Sequence, residues 1–199
     1  MSYILLKLLH VIGAVIMGAG LIGVWLADLR GRQVEDLQRF SEAVRNIRVF
    51  YDGLVFPGAI LLLVSGTWMV VSAYGGWSSN FLQIPWLAGM VTLFTFEFVE
   101  GNTITRLYFV RLGRLTREAL RQHRFTEALV AARESALTNF THFLDIPLYL
   151  TIVALGTTKP TTWTLFFASS AVAVAVALAL TMVVPRLFRW SPQLKPQRA

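Results

Sequence analysis

Seven ionisable side chains stand inside or at the edge of long apolar stretches: Lys7, His10, Asp52, Glu97, Glu100, His142 and Asp145. Such groups are costly in hydrocarbon, so they mark where chemistry is to be sought. Their spacing sorts most of them into pairs. Lys7 and His10, Glu97 and Glu100, and His142 and Asp145 are each three residues apart, which places both members of a pair on one helix face. Two carboxyls opposite a histidine and a third carboxyl could relay protons. The same four residues, Glu97, Glu100, His142 and Asp145, could also hold a divalent metal, as carboxylate–histidine helices do in bundles. A structural cluster charge-balanced by Arg106 or Arg111 is the alternative. The outer pair suggests different chemistry. A neutral His10 imidazole can ligate haem iron, with the thioether of Met90 or Met69 as second ligand. Lys7 could then meet a haem propionate. Asp52 reads as a helix-end residue.

Five apolar stretches must position these groups: Ile4–Ala27, Val49–Tyr74, Leu82–Ile104, Leu137–Gly156 and Trp163–Pro185. Each approaches the ~20 residues that cross a hydrocarbon core as helix. The expected fold is an all-α polytopic membrane bundle, one domain over residues 1–189, followed by a flexible cytoplasmic tail over 190–199. The first stretch has too long an apolar run for a cleaved signal and no basic cluster before it. At ~1.5 Å rise per residue, His10 lies about 9 Å and His142 about 21 Å below the outer face, which argues against one haem held by both. Glu97 and Glu100, at about 20 and 24 Å, join His142 and Asp145 in an inner layer. Met69, Met90 and Tyr149 share the outer layer with Lys7 and His10.

Composition and charge agree with this layout. The 199 residues are 55% hydrophobic and only 15% charged, against about 25% charged in ordinary soluble domains. Cysteine is absent, which excludes disulfides, cysteine-ligated zinc, iron–sulfur clusters and thiol catalysis. Sixteen of the eighteen Lys and Arg residues fall in Asp28–Arg48, Thr105–Ala136 and the tail from Arg186. That asymmetry predicts an odd number of spans in the inner (cytoplasmic) membrane, with the N-terminus outside and the C-terminus inside. The net charge of +7 is therefore topogenic and attracts anionic lipid head groups; it does not indicate nucleic acid. In the Thr105–Ala136 connection, Leu112, Leu115, Leu120, Leu129 and Val130 form an apolar stripe, read as a lipid-facing amphipathic helix or a docking surface for a soluble partner. Val34, Leu37, Val44 and Ile47 suit a helix running into the second span. Ala14/Gly18, Ala19/Gly23 and Ala171/Ala175/Ala179 are small-residue pairs that permit close helix packing, within one chain or in a homodimer. No phosphate-cradling loop, zincin motif or nucleophile elbow is present.

The run Leu5-Leu6-Lys7-Leu8-Leu9-His10-Val11-Ile12-Gly13, followed by Gly18-Ala19-Gly20-Leu21, resembles the opening span of several bacterial membrane families. Among these are the copper-resistance protein D family and the HemJ-type protoporphyrinogen oxidases. Phe56-Pro57-Gly58 and Leu63-Val64-Ser65-Gly66-Thr67-Trp68 are similar to the next helix of those families. A wider resemblance, to an uncharacterised family of predicted integral membrane proteins, extends to Phe143-Leu144-Asp145-Ile146-Pro147-Leu148 and Lys159-Pro160. The HemJ-type resemblance implies haem b on His10. That family also has a lysine in its third span, for which Leu82–Ile104 has no counterpart, so oxidase activity is not implied. The resulting expectation is a haem b-binding, redox-related multi-pass protein. A small proton- or ion-coupled transporter working through the inner layer, or an accessory subunit of a membrane complex, are the other readings.

Overall fold

The computed structural model describes residues 3–74 and 81–188. Among them the chain forms eight α-helices: α1 (Tyr3–Gln33), α2 (Leu37–Phe50), α3 (Phe56–Tyr74), α4 (Pro85–Glu100), α5 (Arg106–Arg121), α6 (Glu127–Arg133), α7 (Ala136–Thr158) and α8 (Thr164–Leu187). No strand occurs among the described residues. The tail expected over 190–199 lies outside them. Helix is the structure an apolar span must adopt, because hydrocarbon supplies no partner for backbone polar groups. Local signals set the ends. The Asp36 carboxylate accepts from the Arg39 amide at 2.8 Å and starts α2. Pro85 occupies the first turn of α4, where its missing N–H costs nothing. Lys159 closes α7 in the left-handed region, with φ 47°.

Two π-helical turns, Tyr51–Val55 and Gly101–Thr105, fuse neighbouring helices into long rods. The first joins α2 to α3, so the helix foreseen ahead of the second span does run straight into it. The second joins α4 to α5. Four helical stretches are long and apolar enough to cross a membrane: Tyr3–Gln33, Leu37–Ala73, Ala136–Thr158 and Thr164–Leu187. The stretch expected as a third span corresponds to α4, sixteen residues with Glu97 and Glu100 near its end. It packs against α7, as α8 does, while α1 lies along α3. Half of the apolar window of α7 is buried, more than in any other candidate span, so α7 is the central helix. Large apolar side chains such as Val15, Ile22, Val64, Trp68 and Val172 point outward, as a lipid-facing surface requires.

The charged connections fold onto the same body. The stripe on α5 and α6 is not lipid-facing: Phe109, Leu112, Ala119 and Leu129 are buried in one cluster with Phe40, Val44 and Ile47 of α2. The apolar face expected to seek lipid is satisfied by the chain's own second helix. The small residues of α8 divide between two faces. Ala173 and Ala177 are buried, whereas Ala171, Ala175 and Ala179 face outward.

Glycines set the approach of α1 to the second rod. A Cβ on Gly58 would stand 2.6 Å from the Met17 backbone nitrogen, and one on Gly13 would be 3.1 Å from the Gly58 carbonyl oxygen. Neither neighbour can rotate away, since both are backbone. Gly58→Ala is therefore expected to destabilise the fold by about 1–3 kcal/mol. Gly53, whose Cβ would meet nothing within 4 Å, is the control. Gly53→Ala should be neutral or stabilising by up to about 1 kcal/mol. Thermal unfolding of both variants in detergent checks the pair; equal midpoints would remove the close-approach argument.

Candidate functional site

The two π turns meet. The Tyr51 hydroxyl of the first lies against Gly101 of the second, 2.7 Å from where a Cβ would stand. A Cβ at 101 would force the Tyr51 side chain to shift, so glycine suits the contact between the rods there. A π turn widens the helix by one residue and recurs at functional sites. Here the pair frames a small cavity of about 20 Å³, with Tyr51, Glu97, Asn102 and Asp145 among its lining residues. That volume suits roughly one water molecule.

Two carboxyls, Glu97 and Asp145, line it, and a third, Glu100, stands beside Asp145. Glu97 is 4% exposed, and both its oxygens are buried without a hydrogen-bond partner among the described residues. Glu100 accepts from the Thr105 hydroxyl at 2.8 Å, and Thr105 also reaches the Thr141 hydroxyl at 3.4 Å. The Glu100 and Asp145 carboxyls stand side by side, close enough for a proton on one to be held by both. No lysine or arginine among the described residues forms an ion pair with any of the three. Arg106, a candidate counter-charge, instead donates to Asp52 at 3.1 Å, and that pair is half-exposed. Asp52 is thus part of a π turn and an ion pair rather than a simple helix end. Carboxyl groups buried together without cations cannot all be charged at once.

His142 does not join this cluster. Although three residues from Asp145, it turns toward α1, with Nε2 3.8 Å from the Asp28 carboxylate. Residues spaced three apart differ by about 60° around a helix, enough for a central helix to offer them to different neighbours. His142 is 2% exposed and enclosed by Trp25, Phe109 and Phe143, with ring centroids 5.2–6.3 Å away. Beside it, Arg32 binds Asp28 at 2.8 Å and Asn139 at 2.6 Å. Among the described residues, no three His, Asp or Glu side chains are grouped to hold a metal ion.

The outer layer is built on α1 and α3. The Ser65 hydroxyl donates to the Leu61 carbonyl, so its oxygen is left to accept from His10 Nδ1 at 3.1 Å. A hydroxyl has one proton to give; His10 is therefore the Nδ1–H tautomer, and its Nε2 carries the free lone pair. Gly66 allows the close approach, since its Cβ would be 3.1 Å from the imidazole Cε1. The two sequence runs that carry the resemblance, around His10 and around Ser65-Gly66, thus meet in space. Lys7 is exposed and Met69 half-buried. The Met90 sulfur packs against Gly156 of α7. Tyr149 donates its hydroxyl to the Ala14 carbonyl and lies against Gly18, a structural role for the first small-residue pair.

Sequence reasoning does not single out Tyr51, Asn102, Thr105 or Thr141. Glu100 and Thr105 are five residues apart, the π spacing, which a search on the α-helical period passes over. The Asp28–Arg32 pair has the ordinary i, i+4 spacing and is legible, but its burial is not.

The chain belongs to a family of predicted integral membrane proteins (DUF2269), whose pattern matches residues 4–160. No match was found among curated proteins or among solved structures.

Proposed function

We infer that this integral membrane protein handles protons, most simply as a small proton-coupled carrier, through the Glu97–Glu100–Asp145 cluster. The protein would cross the inner membrane five times, with α4 completing the set and the arginine-rich ends of α1, α2, α5 and α6 on the cytoplasmic side. The observation that carries the reading is Glu97: a buried carboxyl with no hydrogen-bond partner among the described residues, facing a water-sized cavity. A purely structural carboxyl would be satisfied by donors, as Glu100 is by Thr105. A proton arriving through the cavity would bind a carboxylate of the cluster, pass between the Glu100 and Asp145 carboxyls and be released to the opposite side of the membrane, leaving the carboxylate free to take up the next. The test is proton uptake into liposomes containing the purified protein, read by an entrapped pH-sensitive dye. Flux in the wild type that persists unchanged in Asp145→Asn would sink the assignment.

A second reading, a haem b protein, is favoured by the Ser65–His10 bond. Metal-ligating histidines characteristically donate their other ring nitrogen to a fixed acceptor, and His10 does so here. Met90 fits less well as the second ligand, because its sulfur is engaged with α7. Protein purified from haem-replete cells should then show Soret and α bands that vanish in His10→Ala. In Ser65→Ala the bands should persist, but with haem affinity lower by about 10- to 100-fold. A spectrum without haem bands removes this reading and leaves the carboxyl cluster untouched.

A further inference from the structure

We propose that the groove between α2 and α5 is a binding site for the phosphate head group of an anionic phospholipid. It has a volume of about 560 Å³, and Arg45, Arg48 and Arg117 line it beside Val49, Asp52 and Gly113. Its charge is not cancelled from within. The carboxylate of Asp52 is engaged by Arg106, and none of the three lining arginines forms an ion pair among the described residues. Arg48 Nε is buried without a hydrogen-bond partner. The Arg48 stem lies against Gly113, where a Cβ would be 3.5 Å from its Cδ. A residue larger than alanine there would push the guanidinium out of the groove.

Position selects a lipid as the source of the phosphate. The groove opens where the cationic helix α2 passes into the apolar span of the Leu37–Ala73 rod. Val49, 61% exposed, forms part of its wall. Arginines at such a boundary keep their stems on apolar surface and their heads at the phosphate level. A fork of planar guanidinium donors matches phosphate oxygens better than ammonium groups do. This inference is independent of the proton-handling reading.

The experiment uses the full-length protein in nanodiscs of phosphatidylcholine containing a minority of phosphatidylglycerol, with co-purifying lipid counted by native mass spectrometry. The wild type should retain phosphatidylglycerol in preference to phosphatidylcholine. Arg48→Gln/Arg117→Gln should lower that preference about fivefold per arginine, or about 25-fold together, from the ~1 kcal/mol that each interfacial cation contributes. Arg30→Gln/Arg124→Gln removes the same charge from exposed positions outside the groove and should change the preference less than about twofold. Equal losses in the two double variants would show diffuse attraction and overturn the site. Displacement of the lipid by millimolar inorganic phosphate would also overturn it, by identifying a soluble-phosphate site.

Discussion

Glu97→Gln is expected to lower proton flux on the order of a hundredfold or more while leaving the fold intact. The amide has the same shape as the carboxyl and cannot give up a proton at neutral pH. Because neither Glu97 oxygen has a hydrogen-bond partner among the described residues, the substitution breaks no bond within that part of the protein, and thermal stability should be close to or above that of the wild type. This combination separates function from structure: a residue kept for stability would cost stability when changed. Glu100→Gln provides the contrast. Its carboxylate is held by Thr105, so the amide should cost about 1–3 kcal/mol of stability and a smaller share of flux. Tyr51→Phe removes the hydroxyl that lies against Gly101 but leaves all three carboxyls in place, so flux should fall less than in Glu97→Gln. Wild-type flux in a folded Glu97→Gln variant would end the proton-handling proposal, because Glu97 is the observation that carries it.

The inner site is legible in outline from the residues alone, because hydrocarbon makes each ionisable side chain conspicuous. Glu97, Glu100 and Asp145 stand out by chemistry, and depth along their helices brings them to one height. Its membership cannot be read in the same way. His142 stands at the right depth and spacing but faces α1. That choice depends on which helices flank α7, a tertiary fact absent from the period of one segment. Tyr51 is hidden for a related reason: at four and seven residues from Ile47 and Val44 it continues their buried face and reads as one more core residue, and its contact with Gly101 depends on where the two rods meet. The charged connections show the same limit. Their amphipathic pattern identifies helices, yet lipid and a neighbouring helix are equally apolar targets for Leu112 and Leu129. At the outer site the coincidence of His10 with Ser65-Gly66 is only implicit in two separate runs; the packing of α1 along α3 joins them.

Arg32→Met should be the most damaging single substitution outside the carboxyl cluster. Arg32 is 1% exposed; its Nε donates to Asp28 at 2.8 Å and its NH2 group to Asn139 at 2.6 Å. The guanidinium carbon also stands 5.7 Å from the Phe143 ring centroid. One side chain therefore ties the end of α1 to the beginning of α7. Removing it strands the Asp28 carboxylate, 12% exposed, in a place where water reaches it poorly. Breaking one side of a buried pair costs about 3–5 kcal/mol, whereas replacing both sides by apolar or neutral groups can be nearly neutral. The double variant Asp28→Asn/Arg32→Met should accordingly recover most of the loss. Recovery stays incomplete because Asn139 Oδ1 still lacks its donor, and the double-mutant cycle should return a coupling between 28 and 32 of about 3 kcal/mol or more. Unfolding in a detergent series reads all four proteins. A loss below about 1 kcal/mol in Arg32→Met, the scale of an exposed pair, would mean that water reaches this end of the bundle. The coupling has a functional corollary, since α7 carries Asp145 three residues beyond His142, which faces Asp28. A loosened α1–α7 joint should lower proton flux in Arg32→Met, and the double variant should restore flux and stability together.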